Sequence, residues 1–160
     1  MSLYAASVPV FLHYLGQMHG LVGKGDLTAR VADMFPAGQQ FASATGFTLR
    51  ATYPLVGRNV PPLQGSLDAD GIMARIGVAE AALRALTEHD FAGAEARMIR
   101  HQAGQAQLEQ TGADFLHLYA LPNFFFHLTM GYAALRAAGA DLGKADFDGL
   151  HAYAAGFRFS

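Results

Sequence analysis

The sequence predicts an all-α protein, a four-helix bundle, and three observations support this class. Four stretches place apolar residues at the spacing of one helix face, and short or medium connections join them. The chain of 160 residues has the usual size of one domain, so we expect a single helical-bundle domain over residues 1–160. Hydrophobic residues make up 52% of the chain and charged ones 15%, which favours a packed core over disorder.

The first two long helices are predicted from their apolar stripes. One covers Tyr4–Val22 and ends before a Gly-Lys-Gly stop signal. A short helix is expected over Asp26–Phe35, with its first aspartate as the cap, because proline follows it directly. The second long helix runs from Ala37 to Thr52. Its stripe is small and hydroxylated, and consists of Phe41, Ala44, Thr45, Thr48, Leu49 and Thr52.

The second half of the chain predicts two further helices with an irregular region between them. Ser66 is expected to cap the third helix, whose apolar stripe has the alternating spacing of a bundle seam. Residues 91–110 lack a helix period, and we predict an irregular excursion or short hairpin with Met98-Ile99-Arg100 as a strand fragment. The fourth helix spans Ala113–Ala138, where Pro122 should kink it and free a backbone carbonyl. The stripe of the third helix is Ile72, Ile76, Ala79, Leu83 and Leu86.

Composition limits the partners that the protein can have. The formal net charge of −2 gives no electrostatic reason to expect nucleic acid or an anionic membrane surface. No apolar run reaches the roughly 18 residues of a spanning helix, and the start lacks a basic signal-peptide region, so we expect a cytoplasmic protein. Cysteine is absent, which excludes disulfides, thiolate metal ligands and cysteine nucleophiles.

The C-terminal tail and the low charged fraction together predict self-association. Residues 140–160 are punctuated by glycine, yet they carry Phe147, Tyr153, Phe157 and Phe159. We expect this tail to pack over a surface or a partner subunit. Because few charges are available to cover the apolar faces, we also expect a homodimer.

The most aromatic run of the chain, Leu121-Pro122-Asn123-Phe124-Phe125-Phe126-His127, carries the candidate functional residues. On a helix, Asn123 and His127 lie on one face about a turn apart. This spacing allows two side chains to hold one metal ion, although asparagine is a weak, neutral oxygen ligand. His19, on the apolar stripe of the first helix, is the candidate third group, whereas Gln39 and Gln40 are poor substitutes. We expect Asn123, His127 and His19 to line a small apolar pocket.

The same residues also allow a purely structural interpretation. Asn123 would then bond the backbone that Pro122 frees, and His127 would be a satisfied core histidine. A bound divalent metal and an organic ligand are the two functional alternatives.

Three segments carry a family resemblance: the aromatic run, Gly-Tyr-Ala-Ala-Leu-Arg at 131–136, and Leu-Gly-Lys-Ala-Asp-Phe at 142–147. They resemble an uncharacterised bacterial family of unknown-function domains. Residues 4–11 and the segment Asp33-Met34-Phe35-Pro36 match the same family, so the resemblance covers nearly the whole chain. This family is similar to the DinB/YfiT-like superfamily of metal-dependent four-helix-bundle proteins.

The resemblance implies a divalent-metal site with one histidine on the second helix and two histidines spaced i, i+4 on the fourth. His127 matches the last of these, Asn123 stands at the preceding histidine, and Gly46 stands where relatives usually have an acidic residue. With one ligand retained, one altered and one missing, we expect a degenerate site without a resident cofactor. Nickel, zinc or iron is the alternative.

The predicted function is therefore a DinB-like bundle with a small-molecule pocket around Asn123 and His127, and no catalytic residue is assigned. One alternative is a divalent-metal-dependent transferase or hydrolase that acts on a small, thiol-type substrate. The other alternative is a structural homodimer without catalysis.

Overall fold

The computed structural model describes residues 2–157 as a mostly helical protein with one small antiparallel sheet. None of the helices in this range has both the length and the apolar character needed to cross a membrane. The elements of the first half are α1 (Val8–Val22), α2 (Ala37–Leu55), α3 (Ala69–Arg84) and a 3-10 turn (Glu88–Phe91).

The second half begins with the sheet and ends with helices. Strands β1 (Met98–Ala103) and β2 (Ala106–Thr111) pair in the register Met98↔Thr111 to Ala103↔Ala106. A helical turn (Gly112–Asp114), a π-helical turn (Phe115–Ala120) and an α-helix (Leu121–Ala137) then follow one another without a break, and we call this continuous helix α4. The last element is α5 (Lys144–Asp148).

The sheet corrects the predicted all-α class and confirms the predicted hairpin. Residues 98–103 and 106–111 form a two-stranded ladder, so the chain is mostly helical but not all-α. The predicted strand fragment Met98–Arg100 is the beginning of β1. Gly104, in the tight connection, has a φ of +59°, a conformation that glycine adopts without steric cost.

Helix α2 lies at the centre of the fold and packs against α1, α3 and α4. The small, hydroxylated stripe predicted for it is buried, and its threonines donate back to helix carbonyls; Thr45 Oγ1, for example, lies 2.8 Å from the Phe41 carbonyl. Helix α4 approaches α2 closely at Gly131, where an added Cβ would lie 2.6 Å from the Phe41 ring. Glycine at this position therefore allows the two helices to pack tightly.

The predicted helix over Asp26–Phe35 is wrong, because its backbone is used elsewhere. The carbonyls of Leu27 and Ala29 accept hydrogen bonds from the first amides of α2, at 2.9 and 2.8 Å. Pro36 stands at the N-cap of α2 without a side-chain cap, so these carbonyls satisfy donors that would otherwise lack partners. The Asp26 carboxylate accepts from Thr28 in a turn instead of capping a helix.

The cap of α3 also differs from the prediction. Asp68, not Ser66, is the N-cap residue, and its carboxylate accepts the amide hydrogen of Gly71 at 2.9 Å. The Ser66 hydroxyl donates to that carboxylate at 2.7 Å, so it supports the cap indirectly. The stripe predicted for this helix is buried from Ile72 to Leu86.

Pro122 is predicted to kink the fourth helix, and the structure has a π-helical turn directly before this proline. The amide of Leu121 bonds the carbonyl of Leu116, five residues back, which is the wider π spacing. Proline has no amide hydrogen, and its ring clashes with the carbonyl four residues upstream, so a widened turn accommodates it. The helix then continues as far as Ala137.

The tail divides into a packed part and an exposed part. Phe147 of α5 lies against Tyr14 and Tyr132, with ring centroids 5.7 and 5.5 Å apart. Beyond α5, residues 149–157 are exposed, and the predicted tail residue Phe159 lies outside the described residues.

Candidate functional site

His127 lies on the face of α4 that packs against α2. Its Nδ1 is 2.7 Å from Gln40 Oε1, and its ring stacks on Phe47 with centroids 5.6 Å apart and planes inclined by 24°. An amide oxygen accepts but cannot donate, so Nδ1 carries the proton and Nε2 keeps its lone pair. The amide nitrogen of Gln40 faces the Phe35 carbonyl at 3.4 Å, which agrees with this orientation.

Two effects keep the His127 imidazole neutral. Burial lowers its pKa from the ordinary value for histidine, and the positive charge of Arg50 lowers the pKa further. At neutral pH, His127 Nε2 is therefore a hydrogen-bond acceptor and a base.

Asn123 lies one turn before His127 and is engaged with its own helix. Its Nδ2 donates to the Tyr119 carbonyl at 2.7 Å, within the π-helical turn. The carbonyl four residues before Pro122 is that of Leu118, so the contact ties Asn123 to its own helix but not to the carbonyl that the proline was expected to free. The amide oxygen Oδ1 is left as the acceptor of this side chain.

The pocket hypothesis placed His19 beside Asn123 and His127 of α4, but the side chain of His19 contacts α3. Its Nδ1 lies 3.1 Å from Met73 Sδ, and its Nε2 lies 3.8 Å from Glu80 Oε1, both on α3. The hydrogen-bond partner and the stacked ring of His127 lie on α2, so no shared contact joins these two histidines within the described residues.

A cavity of about 180 Å³ opens beside His127. Asn123 and His19 are absent from the described lining of this cavity, whereas the segment that precedes α2 supplies three of its residues. Sequence reasoning singled out that segment only as part of a family resemblance, and it treated Gln40 only as a poor metal ligand. The cavity is lined by Asp33, Met34, Phe35, Gln40, Phe126 and His127.

The residues around His127 do not fit a divalent metal. His127 and Asn123 are both neutral donors, and within residues 2–157 no group of three histidine, aspartate or glutamate side chains could hold a metal ion. Gly46 has no side chain, and a Cβ added to it would lie 3.7 Å from Arg50 Nη2. A guanidinium thus stands beside the position expected for the third ligand, where it would repel a metal cation.

A larger cavity, of about 670 Å³, lies elsewhere, between the α1–α2 connection and the start of α3. Its carboxylates already have structural roles, because Asp26 accepts from Thr28 and Asp68 caps α3. This cavity is therefore a weaker candidate site than its size suggests.

Comparisons with known proteins connect this architecture to a family. A family model described as a domain of unknown function (DUF1993) matches residues 3–148. The crystal structure of a DinB family member protein from Shewanella denitrificans is similar, with a TM-score of 0.84 and 26% identity. That similarity covers 96% of this chain and 95% of the other. No curated protein matches.

Proposed function

Because the chain belongs to the DUF1993 family of unknown function, we propose its function from the site itself: a metal-independent, DinB-like four-helix bundle that binds a small molecule beside His127. The helices of this bundle are α1, α2, α3 and α4. The charge at the site carries the proposal. Arg50 stands beside Gly46, where the family resemblance implies a ligand side chain, and its charge adds to burial in lowering the pKa of His127, so a cation of the chain itself opposes a bound metal.

The cavity beside His127 favours a ligand that carries a hydrogen-bond donor. His127 Nε2 accepts, and the Asp33 carboxylate is a second acceptor in the lining, whereas both polar atoms of Gln40 are already engaged. Met34, Phe35 and Phe126 provide apolar walls. A volume of about 180 Å³ corresponds to roughly six water molecules, so the ligand is a small neutral alcohol with an apolar body.

Titration with isopentanol and isobutanol, followed by NMR of the histidine side chains, tests this pocket. We expect both probes to shift the His127 signals and to lose affinity in His127→Gln. The control His117→Gln changes an exposed histidine of the same helix and should bind like the wild type. Failure of both probes to perturb His127, or an equal loss in both variants, would refute the pocket.

The metal-dependent transferase or hydrolase is the second candidate. The observation that favours it is the hydrogen bond from His127 Nδ1 to Gln40, because metal-ligating histidines are commonly oriented through their other ring nitrogen. The charge of Arg50 and the missing side chain at Gly46 weigh against it.

A homodimer is also proposed, with the exposed tail beyond α5 at its interface. Leu150, Tyr153 and Phe157 are all exposed in the monomer. Sedimentation at micromolar concentration should show a dimer that becomes a monomer when the chain is cut after Asp148. A monomeric full-length chain would contradict the proposal.

A further inference from the structure

A positively charged groove runs along α2 on the side of β1 and α3. Two cavities of about 220 Å³ each adjoin there, and they share Arg50 and Val60. We call them together the Arg50 groove. One cavity is lined by Gly46, Leu49, Arg50, Val60, Pro61, Leu63 and Arg75, and the other by Phe47, Arg50, Pro54, Val60, Ile99, Arg100, His101, Gln102, Phe115 and Tyr119. These linings contain no acidic residue, and they share none with the cavity beside His127.

Arg50 differs from the arginines that are neutralised by ion pairs. Arg58, Arg84 and Arg100 each bind a carboxylate, whereas Arg50 has no such partner among the residues described. Its guanidinium carbon lies 4.1 Å from the centre of the Phe47 ring, so a cation–π contact holds the group in place. The guanidinium is thereby positioned with N–H donors available for an anion.

Two buried polar atoms lack a hydrogen-bond partner in the described part of the chain, and both belong to residues that line this groove. They are Arg75 Nε and His101 Nδ1. Buried polar atoms are usually satisfied, so two exceptions in one groove call for a missing partner. The other nitrogens of Arg75 donate to the carbonyls of Leu63 and Gly65, which fixes this guanidinium against the loop before α3.

The tautomer of His101 determines which kind of hydrogen-bond partner its Nδ1 requires. His101 Nε2 is 2.8 Å from Gln110 Oε1, and an amide oxygen only accepts, so Nε2 carries the proton. Nδ1 is then a lone pair that requires a donor from a ligand.

Aromatic rings form the walls between these polar groups. Phe115 and Tyr119, both in the π-helical turn, are stacked with centroids 5.8 Å apart, and His101 lies 4.9 and 4.3 Å from them. Phe47 closes the wall 5.9 Å from Tyr119. π-helical turns often occur at functional sites, and this one directs two rings into the groove.

We propose that the Arg50 groove binds a small aromatic carboxylate that carries a hydroxyl group. The Arg50 guanidinium binds the carboxylate, the rings of Phe47, Phe115 and Tyr119 surround the aromatic body, and the hydroxyl donates to His101 Nδ1. Each cavity has the volume of roughly seven water molecules, which is room for one six-membered ring with its substituents.

Calorimetric titration of the full chain with three probes tests the ligand class. The probes are 4-hydroxybenzoate, benzoate and 4-hydroxybenzyl alcohol. We expect 4-hydroxybenzoate to bind most tightly, and the other two to bind roughly tenfold more weakly, because each lacks one polar contact. Absence of saturable binding for all three probes, or equal affinities, would overturn the proposal.

Four variants test the assigned contacts. Arg50→Gln should weaken 4-hydroxybenzoate roughly tenfold, whereas the control Arg84→Gln, also an exposed helix arginine, should not. His101→Phe keeps the ring contacts but removes the acceptor, so it should reduce 4-hydroxybenzoate to the affinity of benzoate and leave benzoate unchanged. His117→Gln, at an exposed histidine that lines neither cavity of the groove, should bind all probes like the wild type. Loss of binding in His117→Gln, or no loss in Arg50→Gln, would overturn the proposal and leave the alcohol test at His127 unaffected.

Discussion

The cavity beside His127 and the Arg50 groove both border α2, yet the imidazole of the first is neutral and hydrogen-bonded, whereas the second contains polar groups that are charged or lack a partner among the described residues. Beside His127, the imidazole is neutral and its Nδ1 is bonded to Gln40. In the groove, Arg50 is charged without a carboxylate partner, and His101 Nδ1 has no partner within the described residues. We therefore expect the first cavity to bind a hydrogen-bond donor and the second to bind an anion.

Phe47 lies between the two regions, and its substitution should have the largest effect on the free energy of unfolding. Its ring contacts both His127 and the Arg50 guanidinium, and it is only 7% exposed. Phe47→Ala should lower the free energy of unfolding by about 3 kcal/mol, because a buried ring is replaced by a cavity. Urea denaturation measures this loss. Phe126→Ala, at a ring 48% exposed, is the control and should cost much less; equal losses would show that Phe47 is not a shared wall.

Gln40 lines only the cavity beside His127, and its substitution should have an intermediate effect on the free energy of unfolding. Gln40→Leu leaves His127 Nδ1–H without its acceptor, which should cost about 1–2 kcal/mol of unfolding free energy. In a double-mutant cycle with His127→Ala, the two losses should not add. Additive losses in urea denaturation would mean that the hydrogen bond contributes nothing.

The lowered pKa of His127 predicts that the free energy of unfolding depends on pH only under acidic conditions. Below about pH 6.5 the unfolded chain protonates this histidine before the folded chain does, so the free energy of unfolding falls as the pH falls. Above that pH, both states are neutral and the effect is absent. Denaturation between pH 5 and 8 should show this loss in the wild type, and a smaller loss in His127→Gln. The same slope in both proteins would contradict the lowered pKa.

Arg50→Gln should change stability least, within about 0.5 kcal/mol, because the side chain is exposed. It should nevertheless raise the pKa of His127, since a nearby positive charge is removed. NMR titration of the imidazole measures this shift, with Arg84→Gln as the control. An unchanged pKa of His127 would show that the charge of Arg50 does not act on this histidine.

The sequence predicted buried stripes well because helix periodicity directly reports which face is apolar. It could not say which neighbouring helix a stripe meets, and so His19 was grouped with His127 although its contacts lie on α3. The segment Asp26–Phe35 is predicted as a helix from Asp26 as its cap and from the proline that follows it, and neither signal shows where the carbonyls of the segment bond. These carbonyls bond the start of α2, a partnership that only the tertiary structure creates.

The Arg50 groove was beyond sequence reasoning for a related reason. Its residues come from α2, α3, β1 and the π-helical turn, and no spacing along the chain connects them. Two local signals were present, namely the proline that disturbs α4 and the glycine at position 46. The first produced the π-helical turn, and the second leaves space beside which the Arg50 guanidinium lies.

Metal analysis tests the central claim, that the chain provides a fixed guanidinium and no resident metal beside His127. Protein purified without a histidine tag or chelator is analysed for nickel, zinc and iron, and is then titrated with each ion in a calorimeter. We predict less than stoichiometric metal and no saturable 1:1 binding to the wild type. One metal ion per chain that disappears in His127→Ala, but is retained in His117→Ala, would contradict the account.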